Sequence, residues 1–156
     1  MSKSLKRVRA ALRDLGLDDT VMEMPGETRT AADAAREAGC AIDQIAKSII
    51  FKVEGTDEIV LFLTAGGNQV DLAKAAATVG RGLARADAAV VRASTGFAIG
   101  GVSPIGHLTA PKIYYDPRLS DFDVVYAAAG TPRHIFPINP LMLREVISAE
   151  PADFTV

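Results

Sequence analysis

The segment 28-TRTAADAAREAGCAIDQIAKSIIFK-52 contains the change of periodicity that decides the fold. A helix is predicted over Ala31–Ala38, because a threonine that can act as its N-cap precedes it and Gly39 follows it. Residues 42–47 predict one further helical turn, and the apolar, β-branched run Ser48–Val53 predicts a strand. A helix that leads into a strand is thus expected.

A β-hairpin is expected next, since the turn sequence Glu54-Gly55-Thr56-Asp57 separates this strand from a second apolar run, Glu58–Thr64. Strands that occur partly as hairpins and partly between helices disfavour a doubly wound parallel sheet. The sequence therefore predicts an α+β fold: a single domain over residues 1–156 with a curved mixed β-sheet flanked by helices. The remaining elements are predicted as helices over 3–16, 71–79, 86–92 and 140–147, and strands over 20–24, 112–116, 124–129 and 134–138.

Composition narrows the class of protein. The chain has 156 residues, 49% of them apolar, which is enough for a substantial core. Its formal charge of −2 gives no bulk electrostatic signal for nucleic acid, so extended binding to duplex DNA is not expected, whereas contact with an RNA end remains open. The one cysteine, Cys40, fits a reducing cytoplasm, and no apolar run is long enough to cross a membrane.

Lys47 is the first candidate for a functional side chain. It stands just before the predicted strand Ser48–Val53, where an ammonium can project over the end of a sheet into a cleft and meet a phosphate or a carbonyl. The alternative is an ordinary solvated lysine.

A glycine-rich loop, 95-TGFAIGGVSPIGH-107, is the second candidate. Backbone N–H groups of Gly100 and Gly101 can approach a ligand closely and hold the oxyanion that develops at an ester carbonyl. The alternative is a tight connection that needs glycine only for its dihedral angles.

The third candidate is the segment 127-AAAGTPRHIFPIN-139. Arg133 could bind a phosphate, and His134 could bind a substrate amine or a water. The alternative is that both residues are structural.

Taken in order, these three segments resemble the YbaK/EbsC family, which is related to the editing domain inserted in bacterial prolyl-tRNA synthetases. The resemblance runs from about residue 20 to residue 150. It implies one mixed α/β domain and a trans-acting deacylase that removes small wrong amino acids from a tRNA, classically tRNA(Pro). It also implies catalytic roles for Lys47, Gly100 and Gly101, and substrate contacts from Thr30, Ser48, Ser103, Pro104, Gly130, Arg133 and His134.

The expected partners are the acceptor end of mischarged tRNA and prolyl-tRNA synthetase, with no metal and no cofactor. Alanine, serine, threonine, cysteine and 2-aminobutyrate stay open as the amino acid removed. Ser48 occupies a position where some alanine-specific relatives carry asparagine, which disfavours an alanine-specific enzyme. Two other classes stay open: a non-catalytic module that binds a tRNA end or a synthetase, and a regulator that binds a small molecule or a nucleotide.

Overall fold

A computed structural model describes residues 2–156 and shows a mixed eight-stranded sheet flanked by helices, which confirms the predicted fold class. The helices are α1 Lys3–Asp14, α2 Ala31–Ala38, α3 Leu72–Val79, α4 Ala88–Thr95 and α5 Pro140–Val146. The strands are β1 Met22–Glu23, β2 Ile45–Val53, β3 Ile59–Ala65, β4 Leu83–Arg85, β5 Lys112–Tyr115, β6 Val125–Ala128, β7 His134–Ile138 and β8 Glu150–Pro151.

The hairpin of β2 and β3 forms the centre of the sheet. Its antiparallel register runs from Ala46↔Ala65 to Lys52↔Ile59. The full strand order is β1-β7-β6-β2-β3-β5-β8, and β4 pairs with β2 outside this path. Parallel pairs join β2 to β6, β3 to β5 and β5 to β8, which makes the sheet mixed.

The two edges of β2 are paired very differently. β3 accompanies one edge along almost its whole length. On the other edge, β6 pairs only as far as Ala46↔Ala127, and β4 pairs only from Phe51↔Arg85 onward. The segment Lys47–Ile50 therefore has no neighbouring strand on this side. At roughly 3.3 Å per residue, the gap in the sheet is about 13 Å long.

Helices cover both faces of the sheet. Leu5, Val8 and Leu12 of α1 pack on one face, in a core that also contains Phe97 and Phe136. On the other face, Ala34 and Ala35 of α2 pack with Ile45, and Ala75 of α3 packs with Phe62 and Phe154. None of the helices within residues 2–156 combines the length and apolarity that a membrane span requires.

The structure corrects one boundary that matters for function. Residues 42–47 do not form a single helical turn: a 3-10 helix covers Ile42–Gln44, and β2 already begins at Ile45. Lys47 consequently lies inside β2, paired with Thr64, rather than before the strand. The strand starts early because Ile45 and Ala46 gain parallel partners on β6. The short strands β4 and β8 and a 3-10 helix over Pro117–Asp121 were not predicted.

Candidate functional site

The gap beside β2 opens into a cavity with a volume of about 690 Å³. This volume lies within the range of sites for small molecules and cofactors. Residues from both faces of the sheet reach the cavity because no strand fills the gap. Its wall includes Thr28, Arg29, Thr30, Ala31, Ala34, Ile45, Lys47, Ser48, Ile49, Ile50, Gly66, Arg85, Val91, Ile99, Gly100, Val102, Tyr126, Ala127, Ala128 and Ile135.

Lys47 is half-buried in this wall, on the face of the sheet that carries α2. Its ammonium donates a hydrogen bond to the Asn68 carbonyl. Burial lowers the pKa of Lys47, while the negative charges of Asp116 and Asp43 act in the opposite direction and raise it. The site thus contains a partly desolvated cation that is fixed at the cavity wall.

A buried carboxylate holds the loop to which Lys47 is bonded. Asp116 is only 3% exposed. It accepts hydrogen bonds from the Ala65 N–H at 3.0 Å, the Asn68 side-chain amide at 2.9 Å and the Arg118 N–H at 3.0 Å. Because Asn68 provides the carbonyl that receives the Lys47 ammonium, Asp116 both positions the lysine and supplies a compensating charge.

Ser48 lies in the middle of the open edge. Two hydrogen bonds at the end of β2 show which edge each residue faces. The Val53 N–H donates at 2.8 Å to the carbonyl of Glu58, just before β3, and the Glu54 N–H donates at 3.0 Å to the carbonyl of Gly82, just before β4. Since backbone groups alternate along a strand, Ser48 directs its N–H and C=O away from β3 and into the gap. The Ser48 hydroxyl is buried and has no hydrogen-bond partner within residues 2–156.

Gly100 and Thr30 approach the cavity from its other walls. Gly100 adopts a φ of +95°, a region in which only glycine is free of strain, and a Cβ there would lie 3.4 Å from the Arg29 guanidinium. The Thr30 side chain caps α2 by accepting from the Asp33 N–H at 3.1 Å, and its hydroxyl can still donate. The structure therefore brings Lys47, Ser48, Gly100 and Thr30 to one cavity.

Four other predicted site residues lie behind the wall and do not line the cavity. The Gly101 N–H donates to the Ala98 carbonyl at 3.1 Å, and a Cβ on Gly101 would lie 2.9 Å from the Thr131 backbone nitrogen. Gly130 packs closely on the Ser4 carbonyl, and Ser103 and Pro104 are buried. Gly100 thus fits the predicted role of amide donor better than Gly101, whose N–H is already engaged in a turn.

Arg133 and His134 lie in a separate cavity beside α1, which Ser2, Leu5 and Arg9 also line. The reason is strand alternation: Ile135 of β7 faces the main cavity, so its neighbour His134 points to the opposite face of the sheet. The His134 Nδ1 forms a hydrogen bond of 2.6 Å with the Thr131 hydroxyl. The prediction that grouped His134 with Lys47 therefore does not match their positions.

Two arginines at the main cavity were missed by the sequence analysis. Arg29 and Arg85 are exposed and contribute to its wall. Arg29 pairs with Glu27 at 3.0 Å, whereas Arg85 forms no ion pair with any described residue. Arg29 lies within the segment 28–52, where its charge was visible. Arg85 reaches the cavity only because it belongs to β4, a strand that was not predicted. With Lys47, they are the charged side chains of the cavity wall as described, which includes no carboxylate.

The arrangement favours polar recognition over nucleophilic catalysis by a side chain. Cys40 packs beside Ala34 and Ala35, and burial raises the pKa of its thiol, which opposes thiolate formation. His107 packs edge-on against Phe97, with ring centroids 5.5 Å apart, away from the cavity wall. No set of three or more potential metal ligands is clustered within residues 2–156. The cavity instead offers cations, backbone N–H groups and an apolar wall.

Comparison with known proteins places the chain in a family. The family described as the aminoacyl-tRNA editing domain matches residues 25–146. The protein YwhH of Bacillus subtilis strain 168 is 32% identical over 142 residues, which cover 91% of this chain and 90% of YwhH.

Two solved structures share the fold. One, described as a candidate trans-editing enzyme for prolyl tRNA synthetase, is 42% identical, with a TM-score of 0.92 over 100% of this chain and 99% of that one. The hypothetical protein APE2540 is 24% identical, with a TM-score of 0.88 over 96% of this chain and 99% of that one. The latter similarity shows the fold alone.

Proposed function

The chain belongs to the aminoacyl-tRNA editing domain family, and from this premise we propose that it hydrolyses the ester between a small wrong amino acid and the 3′ end of a tRNA. We propose tRNA(Pro) as the tRNA and prolyl-tRNA synthetase as the enzyme whose errors it corrects. The 42% identity to a candidate trans-editing enzyme for that synthetase supports this choice. In this proposal the protein acts in the cytoplasm, where aminoacyl-tRNA is made.

The observation that carries the proposal is that Lys47 and Gly100, separated along the chain, line one cavity. A cation and a glycine loop on opposite sides of the molecule could not act on one substrate. Their shared cavity is also lined by small and aliphatic residues such as Ala31, Ala127 and Val102. This combination suits a ligand with a phosphate at one end and a small apolar group at the other.

Each polar group then has a role that its position supports. Lys47, with Arg29 and Arg85 nearby in the wall, binds the phosphate or ribose of the terminal adenosine. The Gly100 N–H donates no hydrogen bond within residues 2–156 and is free to polarise the ester carbonyl. The thiol and the imidazoles lie elsewhere, so water itself is the nucleophile.

The reaction consumes one water molecule. The water oxygen adds to the ester carbonyl carbon, and its proton is relayed through the neighbouring ribose hydroxyl. The bond from carbon to the ribose oxygen then breaks, and that oxygen takes up a proton, which leaves a free amino acid and an uncharged tRNA. Because an ester is already activated, positioning and oxyanion stabilisation suffice to accelerate the step.

Selectivity follows from the size of the cavity beside the ester. Large side chains are excluded by clash, which discriminates more strongly than the loss of a favourable contact. A panel of Ala-, Ser-, Thr-, Cys-, 2-aminobutyryl- and Pro-tRNA(Pro) tests the proposal. We expect catalytic deacylation of at least one small aminoacyl-tRNA and little of Pro-tRNA(Pro). Tight binding of these tRNAs without turnover would instead identify a binding module.

A further inference from the structure

The open edge of β2 presents an unfilled pair of backbone hydrogen-bonding groups to the cavity. Neither β6 nor β4 extends to Ser48, because their last pairs are Ala46↔Ala127 and Phe51↔Arg85. The Ser48 N–H and C=O both point into this gap by the alternation of the strand. In other sheets such a pair is completed by a residue of a neighbouring strand, or by a peptide that binds along the edge.

An aminoacyl group has the polar atoms that would complete the pair. In an antiparallel pair, one residue offers both its N–H and its C=O to the residue opposite, with the two Cα atoms about 5.5 Å apart. The aminoacyl end of a charged tRNA is one amino-acid residue: its α-ammonium can donate to a carbonyl, and its ester carbonyl can accept from an N–H.

From this correspondence we infer that the substrate's amino acid binds as a one-residue strand on the open edge of β2, paired with Ser48. This inference rests on the proposed deacylase function and specifies how the site recognises its substrate. The Ser48 C=O accepts from the α-ammonium, and the Ser48 N–H donates to the ester carbonyl. As water adds to the carbonyl carbon, the π electron pair moves to that oxygen, and the same N–H stabilises the oxyanion.

The gap has room for this arrangement. One residue in a strand repeats every 3.3 Å or so, whereas the unpaired segment Lys47–Ile50 extends over about 13 Å. The rest of the gap accommodates the ribose, with Lys47 next to the paired residue along the strand. Edge pairing therefore places the ester between the lysine and the amide without moving β2 or β3.

The pairing also determines where the substrate's side chain points. Residues that face each other in an antiparallel pair project their side chains to the same side of the sheet. The amino-acid side chain would thus lie beside that of Ser48, whose buried hydroxyl lacks a partner within residues 2–156. Ile99 and Val102, in the wall of the same cavity, bound the space that is left. A short side chain fits there.

The first experiment separates the contribution of the Ser48 backbone N–H from that of its hydroxyl. Ser48→Pro removes the N–H that points into the gap and leaves every β2–β3 hydrogen bond possible, because that N–H faces away from β3. Ser48→Ala removes only the hydroxyl. In single-turnover assays on the best substrate of the panel, we expect Ser48→Pro to lower the rate about 100-fold or more below that of Ser48→Ala, the usual cost of one oxyanion donor.

The second experiment alters the substrate. Replacing the α-amine of an alanyl-tRNA by a hydroxyl gives lactyl-tRNA with the same carbon skeleton. The hydroxyl is an uncharged and weaker donor to the Ser48 C=O. Single-turnover hydrolysis, divided by the spontaneous hydrolysis rate of the same ester, should therefore be about 10-fold slower for lactyl-tRNA in both the wild-type protein and Ser48→Pro, which keeps that carbonyl. Equal corrected rates on the two tRNAs would contradict the pairing.

A third measurement does not depend on turnover or on the folding of a variant. In the wild-type protein, the Ser48 amide resonance should shift on addition of an adenosine that carries alanine through a non-hydrolysable 3′-amide. A shift at Gly100 and Lys47 with none at Ser48 would overturn the inference, as would a folded Ser48→Pro variant with the rate of Ser48→Ala. Either result leaves the deacylase proposal intact, whereas a wild-type protein inactive on every aminoacyl-tRNA would refute that proposal.

Discussion

The two edges of β2 carry out different tasks in the same strand. The edge toward β3 is paired from Ala46 to Lys52, and β3 behind it is buried along its whole length. The opposite edge is interrupted between β6 and β4, and the cavity lined by Lys47 and Gly100 lies at this interruption. The candidate site thus lies where the hydrogen-bond ladder on one edge of β2 is incomplete. The complete ladder between β2 and β3 holds the strand in place.

The largest expected effect of a substitution is a loss of stability at the paired edge of β2. Phe62 of β3 is fully buried and packs against Tyr114 and Phe154, with ring centroids 5.5 and 4.9 Å away. Phe62→Ala should lower the free energy of unfolding by about 3–5 kcal/mol, because it removes a large apolar side chain and leaves a cavity. Chemical denaturation measures this loss. Activity per folded molecule should stay near that of the wild type, and a selective loss of activity would contradict the division between the edges.

The next effect concerns the open edge. Lys47→Ala should reduce deacylation about 100-fold or more, because it removes the cation that binds the terminal nucleotide. It should change the free energy of unfolding by less than about 1 kcal/mol, since the side chain is only half-buried. Single-turnover kinetics and denaturation on the same samples measure both quantities. Lys52→Ala, in the same strand but outside the cavity, is the matched control.

A pH profile tests the coupling between Lys47 and Asp116. Burial lowers the pKa of Lys47, and the Asp116 charge raises it. Asp116→Asn removes that charge, so the pKa of Lys47 falls further and the lysine loses its proton at a lower pH. The alkaline decline of kcat/KM, corrected for spontaneous ester hydrolysis, should therefore move to lower pH. Asp43→Asn should move it in the same direction by less, while an unchanged profile in both variants would contradict an essential cation at Lys47.

Arg85 provides the smallest predicted effect. Arg85→Ala should weaken tRNA binding by a few-fold and flatten its salt dependence slightly, because it removes one phosphate contact. Arg81→Ala is the control, since Arg81 is paired with Glu58 at 2.6 Å and lies outside the cavity wall. Binding titrations at two salt concentrations measure the difference. Identical titrations for the two variants would place the tRNA elsewhere on the surface.

Local sequence signals explain why much of the fold could be predicted. The cap of α2 at Thr30, its end at Gly39 and the β2–β3 hairpin depend on residues close together in the chain. The strands β4 and β8 escaped prediction because each is short and exists through pairing with a distant partner. The gap in the sheet could not be foreseen for the same reason: it is defined by where β6 and β4 stop.

The candidate site was predictable only in part. Lys47 was visible as a charge beside an apolar run, and Gly100 as part of a loop without side-chain bulk. Both residues line the same cavity. His134 was grouped with them, yet strand alternation and the register of β7 direct it to the other face of the sheet. Which face a side chain occupies depends on tertiary pairing, and the sequence near His134 does not contain that information.

The most direct test is a crystal structure of the protein with adenosine that carries alanine through a non-hydrolysable 3′-amide. We predict that the alanyl group lies in the gap of β2, with its carbonyl oxygen about 2.9 Å from a backbone N–H of the cavity wall and the nucleotide beside Lys47. Binding in the cavity formed by Arg133 and His134, with the gap of β2 empty, would contradict the central claim.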